Sequence, residues 1–286
     1  MERYQKGIIV GGTGLLYQAA EILEQSGRTG QIELYFCNGN GFGKKQKDTM
    51  LCRQITGKKE LMDLLIQETE KTLVLSVMNP WIFTEEALNN PNLFVVNLHH
   101  ALLPAHRGRN AEAWAIYEGD TRAGITWHKV DARIDRGTIY LQKEVAIDGR
   151  MTSLKLLSLL NKEALLGLQE LLLEGFMEHA PLYGDSDSGK LHLAKDIPND
   201  GWLDLSWDPE QMSRFLRAMD YGILQVMGQP KVRLPEGVYT WKSWQMREIE
   251  EQGLEQIKLD TENKQIQIFK KETKIILKQI EKMEDE

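Results

Sequence analysis

Asn97 and His99 stand two residues apart at the end of the apolar run 93–96, and Asp135 follows in the loop sequence DARIDRG at 131–137. Side chains two apart on an extended chain point to the same side, so the amide and the imidazole are expected to face one crevice. An amide, an imidazole and a carboxylate suit carbonyl transfer to an amine without a protein nucleophile. Attack on the carbonyl carbon creates a tetrahedral oxyanion, which asks for preorganised hydrogen-bond donors. Asn97 Nδ2 and a protonated His99 are the expected donors. Attack also frees a proton, which Asp135 either accepts through an ordered water or uses to keep His99 correctly protonated. The sequence leaves both roles open.

Two other chemistries are weaker. Four of the six histidines, His99, His100, His106 and His128, fall in this stretch. There is still no HExxH run and no close carboxylate pair to fix a coordination geometry, so no metal is expected. Neither serine nor cysteine stands at a sharp strand-to-helix turn, as a hydrolytic triad would need. Cys37 and Cys52 are too few for a disulfide framework and read as ordinary thiols in a reducing, cytoplasmic compartment. No signal-peptide pattern or membrane-length apolar run is present, so no membrane partner is expected.

The elements that must position these residues alternate strand with helix. Residues 7–14, GIIVGGTG, predict a strand ending in a glycine turn, and 15–25 a helix. The GGTG turn lacks the spacing of a dinucleotide or P-loop motif and reads as a plain strand-to-helix turn. Strands are expected at 31–37, 71–77 and 92–97, with one or two helices in 47–70 and a short helix at 84–89. A glycine-rich loop at 38–43 is followed by Lys44, Lys45 and Lys47, a solvated loop that also offers charge to an anionic tail. This order predicts a largely parallel sheet whose ligand crevice lies beyond the C-terminal strand ends. Residues 151–178 predict a long leucine-rich helix, 181–189 a linker, and 209–219 a helix with Pro209 in its first turn. Short strands at 231–234, 254–258, 265–269 and 274–277 predict a small antiparallel barrel.

Three ordered blocks are specific: NLHxxLLPxxRG at 97–108, GITWH at 124–128 and IDRGTIYLQ at 134–142. Together they resemble the 10-formyltetrahydrofolate-dependent formyltransferase family, most strongly over 93–144. A weaker resemblance, DGWLDLSWDPEQMSRFLRAMD at 200–220, extends to the start of the small C-terminal domain in methionyl-tRNA and amino-sugar formyltransferases. The resemblance implies a Rossmann-like α/β formyltransferase domain with a mostly parallel sheet at 1–197. A small β-barrel-like, OB-like domain follows at 198–286. It implies 10-formyltetrahydrofolate as cosubstrate and Asn97, His99 and Asp135 as the catalytic residues. Met78, Trp81 and Phe83 are expected along one wall of the folate pocket, with core packing as the competing role for both aromatics. Val130, Asp131 and Ile134 are expected in the opposing loop. Arg107, Asn110 and Glu112 are the expected acceptor contacts, and Trp127 and His128 should face opposite sides of their strand.

RGRNA at 107–111 departs from the common RGxxP form, which weakens a tRNA or nucleotide-sugar reading, and GITWH looks more like enzymes of peptide synthesis or modified amino acids. From Trp241 onward there are 9 Lys or Arg against 11 Asp or Glu, and the whole chain carries a formal charge of −7. That balance disfavours a surface gripping tRNA. The expected partner is a small amine, such as a nucleotide-linked amino sugar or a modified amino acid, with tRNA disfavoured. The tail is left to cover the acceptor crevice or to hold a homodimer.

Overall fold

The computed structural model describes residues 3–37, 51–176, 189–250 and 255–284. The expected glycine loop at 38–43, the Lys44, Lys45 and Lys47 cluster and nearly all of the 181–189 linker lie outside the described residues.

The first half of the chain runs β1 (Tyr4–Gly11), α1 (Leu15–Ser26), β2 (Thr29–Cys37), β3 (Leu51–Ile55), α2 (Lys58–Ile66), β4 (Thr72–Val77), α3 (Glu85–Leu88) and β5 (Leu93–His99). Then come β6 (Arg107–Gly108), α4 (Ala111–Glu118), β7 (Arg122–Lys129), β8 (Ile139–Ala146), α5 (Ser153–Glu174) and β9 (Leu191–His192). One seven-stranded sheet has the order β3-β2-β1-β4-β5-β7-β8. The strands from β3 to β5 pair in parallel, and β7 joins β5 antiparallel. Strand order reverses between β1 and β4, the switch point at which open α/β sheets form a crevice. The segment 51–55, expected as part of a helical stretch, is instead an edge strand. Its alternating Cys52 and Gln54 carried little apolar signal, and parallel pairing with β2 supplies the order.

Helix α1 buries Leu15, Leu16, Ala19, Ala20 and Leu23, one apolar stripe at helical spacing. It ends where Gly27 turns left-handed and its N–H caps Glu24 O. Helix α2 puts Leu61, Met62 and Leu65 into a cluster with Ile8, Val10, Tyr35, Val74 and Val95 of the strands. Each such side chain contributes about 1.5–3 kcal/mol by leaving water. Helix α5 buries Leu156, Leu160, Ala164, Leu168 and Leu171. Trp127 Nε1 donates to Ala164 O at 3.0 Å and fixes that helix against β7.

Two compact units emerge, and neither is continuous in sequence. One comprises 1–109, 123–145 and 158–192; the other comprises 110–122, 146–157 and 193–286. Helix α4 and the start of α5 thus belong with the C-terminal residues, a grouping that a simple division at 197/198 does not capture. Within the second unit, α6 (Pro209–Ala218) has Pro209 at its first position and Asp208 as N-cap, accepting from Gln211 N. Tyr221 donates to Glu112 Oε1 at 2.6 Å, in the unit where α4 and α6 also pack together. Strands β10 (Lys231–Leu234), β11 (Gly237–Thr240) and β16 (Glu281–Lys282) form one sheet. Strands β12 (Ser243–Glu248), β13 (Gln256–Asp260), β14 (Gln265–Lys270) and β15 (Thr273–Lys278) form another, ordered β12-β15-β14-β13. Among the described residues neither sheet closes on itself, so the expected barrel is instead a β-rich region of two open sheets.

Candidate active site

Strand β5 is longer than its apolar run: it continues through Asn97 and Leu98 to His99, because β7 pairs with this end. Asn97 lies opposite His128 and His99 opposite Thr126. Directly opposed residues share one face of a sheet. Asn97 Nδ2 is 3.2 Å from His128 Nε2, and His128 Nδ1 is 2.8 Å from Lys129 O. A carbonyl only accepts, so His128 carries its proton on Nδ1, and its Nε2 accepts from the Asn97 amide. The second Nδ2 hydrogen of Asn97 is left for another acceptor.

His99 is fixed in the same manner. Its Nε2 lies 2.8 Å from His106 O, which assigns the proton to Nε2 and leaves Nδ1 facing Asp135 Oδ2 at 3.6 Å. The other carboxylate oxygen is 3.6 Å from His128 Nε2. These separations give electrostatic contact beyond direct hydrogen-bond reach. Gly108 N–H donates to Asp135 Oδ2 at 2.8 Å. Gly108 has φ +91, and a Cβ there would lie 2.1 Å from His192 O, so only glycine delivers this donor. Gly137 closes the other end of the loop, where a Cβ would lie 1.7 Å from Lys129 O.

Burial pushes Asp135 toward its neutral form, yet His99, His128 and the Gly108 N–H together hold it well below the ordinary carboxylate range. Burial lowers His99, opposed by Asp135 and the His106 carbonyl. Burial thus favours the neutral form of His99 while its contacts with Asp135 and the His106 carbonyl favour the imidazolium. A proton on Nδ1 would lie against the Asp135 carboxylate, which is placed to stabilise an imidazolium.

The corner carrying His106 and Gly108 is held by the distant segment 189–192. Strand β9 pairs with β6, Arg107 against Leu191 and Gly108 against His192. Arg107 N donates to Lys190 O and Arg109 N to His192 O. His106 Nδ1 is 3.3 Å from His192 Nε2, with the rings stacked. The preceding turn is braced from β7 and β8: Leu103 N donates to Thr126 Oγ1, while Gln142 Nε2 donates to Leu103 O and Thr126 Oγ1. Thr126 and Gln142 thus explain two motif residues whose role the sequence did not disclose. His128, the Gly108 N–H, the His106 carbonyl and His192 were missed as site components. Only His128 had a side-chain signal, through its place in GITWH.

Other expected residues divide. Met78 follows β4 directly with φ 57, and Val130 N bonds Val95 O beside β5. Asp131 accepts from Arg133 N and pairs with its guanidinium, shaping the loop that contains half-buried Ile134. Trp81 packs partly on the α2 cluster and Phe83 is buried within it, the packing role that stood beside the pocket-wall reading. Arg107 is buried, donates from Nη2 to Gly189 O, and its Nε has no partner among the described residues. Asn110 begins α4 with φ 54, and Glu112 meets Tyr221; both belong to the second unit. His100 is buried and faces Asn161, its pKa pushed down to about 4 by burial and by His99. Trp127 is buried on the face opposite His128, as strand alternation predicted.

Residues 44–170 match the Formyl transferase family model. The chain is 34% identical over 124 residues to the GDP-perosamine N-formyltransferase of Brucella melitensis, covering 43% of this chain and 47% of the relative. Identity to the methionyl-tRNA formyltransferase of Clostridium botulinum is 28% over 174 residues, 60% of this chain and 56% of that one. The chain thus spans about half the length of the curated relatives it matches. The N-formyltransferase of Helicobacter canadensis, solved with folinic acid and dTDP-3-aminofucose, superposes with TM-score 0.71 at 16% identity, over 97% of this chain and 99% of that one. At that identity the likeness is one of fold.

Proposed function

We propose that the protein transfers the formyl group of 10-formyltetrahydrofolate to the primary amine of a nucleotide-linked amino sugar. The carrying observation is the convergence of Asn97, His99, His128 and Asp135 at the end of β5. The amine nitrogen bonds to the formyl carbon, and the carbonyl oxygen becomes an oxyanion facing the free Nδ2 hydrogen of Asn97. The amine proton passes to His99 Nδ1, where ionised Asp135 stabilises the imidazolium. Collapse breaks the bond from carbon to the folate nitrogen, which takes the proton back, giving formamide and tetrahydrofolate. No metal is required.

Arg107, with its open buried Nε, is the residue assigned to an anionic group of the acceptor. Met78, Val130 and Ile134 remain assigned to the folate side. The solved Helicobacter relative, crystallised with a folate and a nucleotide-linked amino sugar, supports this ligand class, as does the perosamine relative. A modified amino acid is the second acceptor class, and tRNA is disfavoured by the balanced tail. We place the reaction in the cytoplasm on the strength of the thiols; among the described residues no helix is long and apolar enough to cross a membrane.

The test is mass-resolved formyl transfer from 10-formyltetrahydrofolate into separate pools of nucleotide-linked amino sugars, modified amino acids and charged initiator tRNA. One added formyl group in the sugar pool is the expected result. Product only in the tRNA pool, or in none with intact donor and folded protein, overturns the assignment.

A further inference from the structure

Residues 106–108 touch both His99 and Asp135 through their backbone alone. His106 O accepts from His99 Nε2 at 2.8 Å, and Gly108 N–H donates to Asp135 Oδ2 at 2.8 Å. Both contacts depend on an unusual chain path, with His106 at φ 47 and Gly108 at φ 91. Glycine enters the left-handed region readily, but a histidine does not, because its Cβ crowds the following carbonyl. Such a residue persists only where its surroundings over-determine it. Relaxation of His106 to an ordinary φ would swing its carbonyl away from His99 and release the choice of which ring nitrogen carries the proton.

His192 supplies the constraint from both sides of the corner. Its buried ring stacks on that of His106, with Nε2 lying 3.3 Å from His106 Nδ1. One nitrogen of that pair donates and the other accepts, a directional contact that an apolar side chain cannot replace. The backbone carbonyl of His192 accepts from Arg109 N at 2.9 Å and passes so close to Gly108 that a Cβ there would meet it. Every link from His192 through His106 to His99 and Asp135 lies within the first compact unit.

We propose that His192 is a positioning residue: through His106 it holds the carbonyl that keeps a proton on His99 Nε2, and so reserves Nδ1 for the chemistry. The role rests on the formyl-transfer reading above. Its first test reads His99 directly, from the ring-nitrogen NMR shifts of the full chain labelled in histidine, at mildly alkaline pH where an imidazole is neutral. The native protein should show His99 protonated on Nε2. His192→Ala should move that proton toward Nδ1, with circular dichroism unchanged. This readout needs no acceptor, so failure of the positioning role and failure of the transfer reading are told apart. In turnover, His192→Ala should lower kcat about tenfold, the worth of one aligning hydrogen bond, with KM for 10-formyltetrahydrofolate unchanged. His192→Gln, whose amide reaches the place of Nε2, should recover most of that loss. His192→Asn, which ends near the place of Nδ1, should not. An unmoved His99 signal in His192→Ala, or equal kcat for the Gln and Asn variants, overturns the positioning role.

Discussion

With Nε2 committed to the His106 carbonyl, the chemistry of His99 is confined to Nδ1, the nitrogen that faces Asp135. Replacing His99 by Ala should lower kcat by about 10²–10⁴, the usual scale of a positioned acid–base group. Turnover within a few-fold of the native rate would remove His99 from the mechanism. His128 acts through Asn97: His128→Ala should cost about tenfold in kcat, the worth of one aligning hydrogen bond, and His128→Gln should recover part of it. Equal losses in the two variants would rule out that alignment. His100 carries a prediction of a different kind. Its folded pKa is depressed to about 4, so its contribution to stability is full above the unfolded value of about 6.5. That contribution is lost progressively as pH falls toward 4. Urea denaturation at pH 7.5 and 5 should show an acid loss on the order of 1–3 kcal/mol, by the conversion of about 1.4 kcal/mol per unit. His100→Gln should shrink that loss; an unchanged loss would place the acid sensitivity elsewhere. At this scale the convergence of Asn97, His99 and Asp135 was legible, because their side-chain types drew them into one candidate site. The Gly108 N–H and the His106 carbonyl were not, because every residue has a backbone and only folding says where it points.

Elements were legible where an apolar period was strong. Helices α1 and α6 and strands β4, β10 and β14 begin and end within about two residues of where the pattern puts them. Strand β3 was hidden because its order comes from pairing with β2, not from its own composition. The contact between Glu112 and Tyr221 was equally hidden, since Glu112 was expected to meet the acceptor and nothing local joins residues 109 positions apart. Burial raises the Glu112 carboxyl. A raised carboxyl contributes stability fully below its unfolded value of about 4.3 and loses it as pH rises through the folded value. Glu112→Gln keeps an acceptor for Tyr221 and removes the ionisation. Its thermal midpoint should therefore gain on the native protein as pH rises from 5 to 8. A constant difference across that range would show that the carboxyl does not titrate there.

For the whole molecule, the charge of −7 and the balanced tail were read directly from composition. Filter binding at about 0.1 M salt should retain no bulk tRNA, since non-specific association depends on neutralising phosphates. Retention at micromolar protein would overturn that argument. The division into two units escaped the sequence for a topological reason. Residues 110–122 and 146–157 leave and re-enter the first unit, and no local signal marks a chain that crosses a boundary and returns. The tail was legible as short strands, but which strand pairs with which is set by long-range register that composition does not carry.

Strand β9 has a consequence for the order in which the protein is made. Gly108 and His106 are held by residues 189–192, the last of which follows His99 by ninety-three positions. A ribosome adding about 5–20 residues per second needs roughly 5–20 s to cover that distance. In the later part of that interval the nascent chain already contains Asn97, His99, His128 and Asp135 but lacks the strand that aims the donor to the carboxylate. The reactive corner is therefore a late product of synthesis, completed only after α5 has been made.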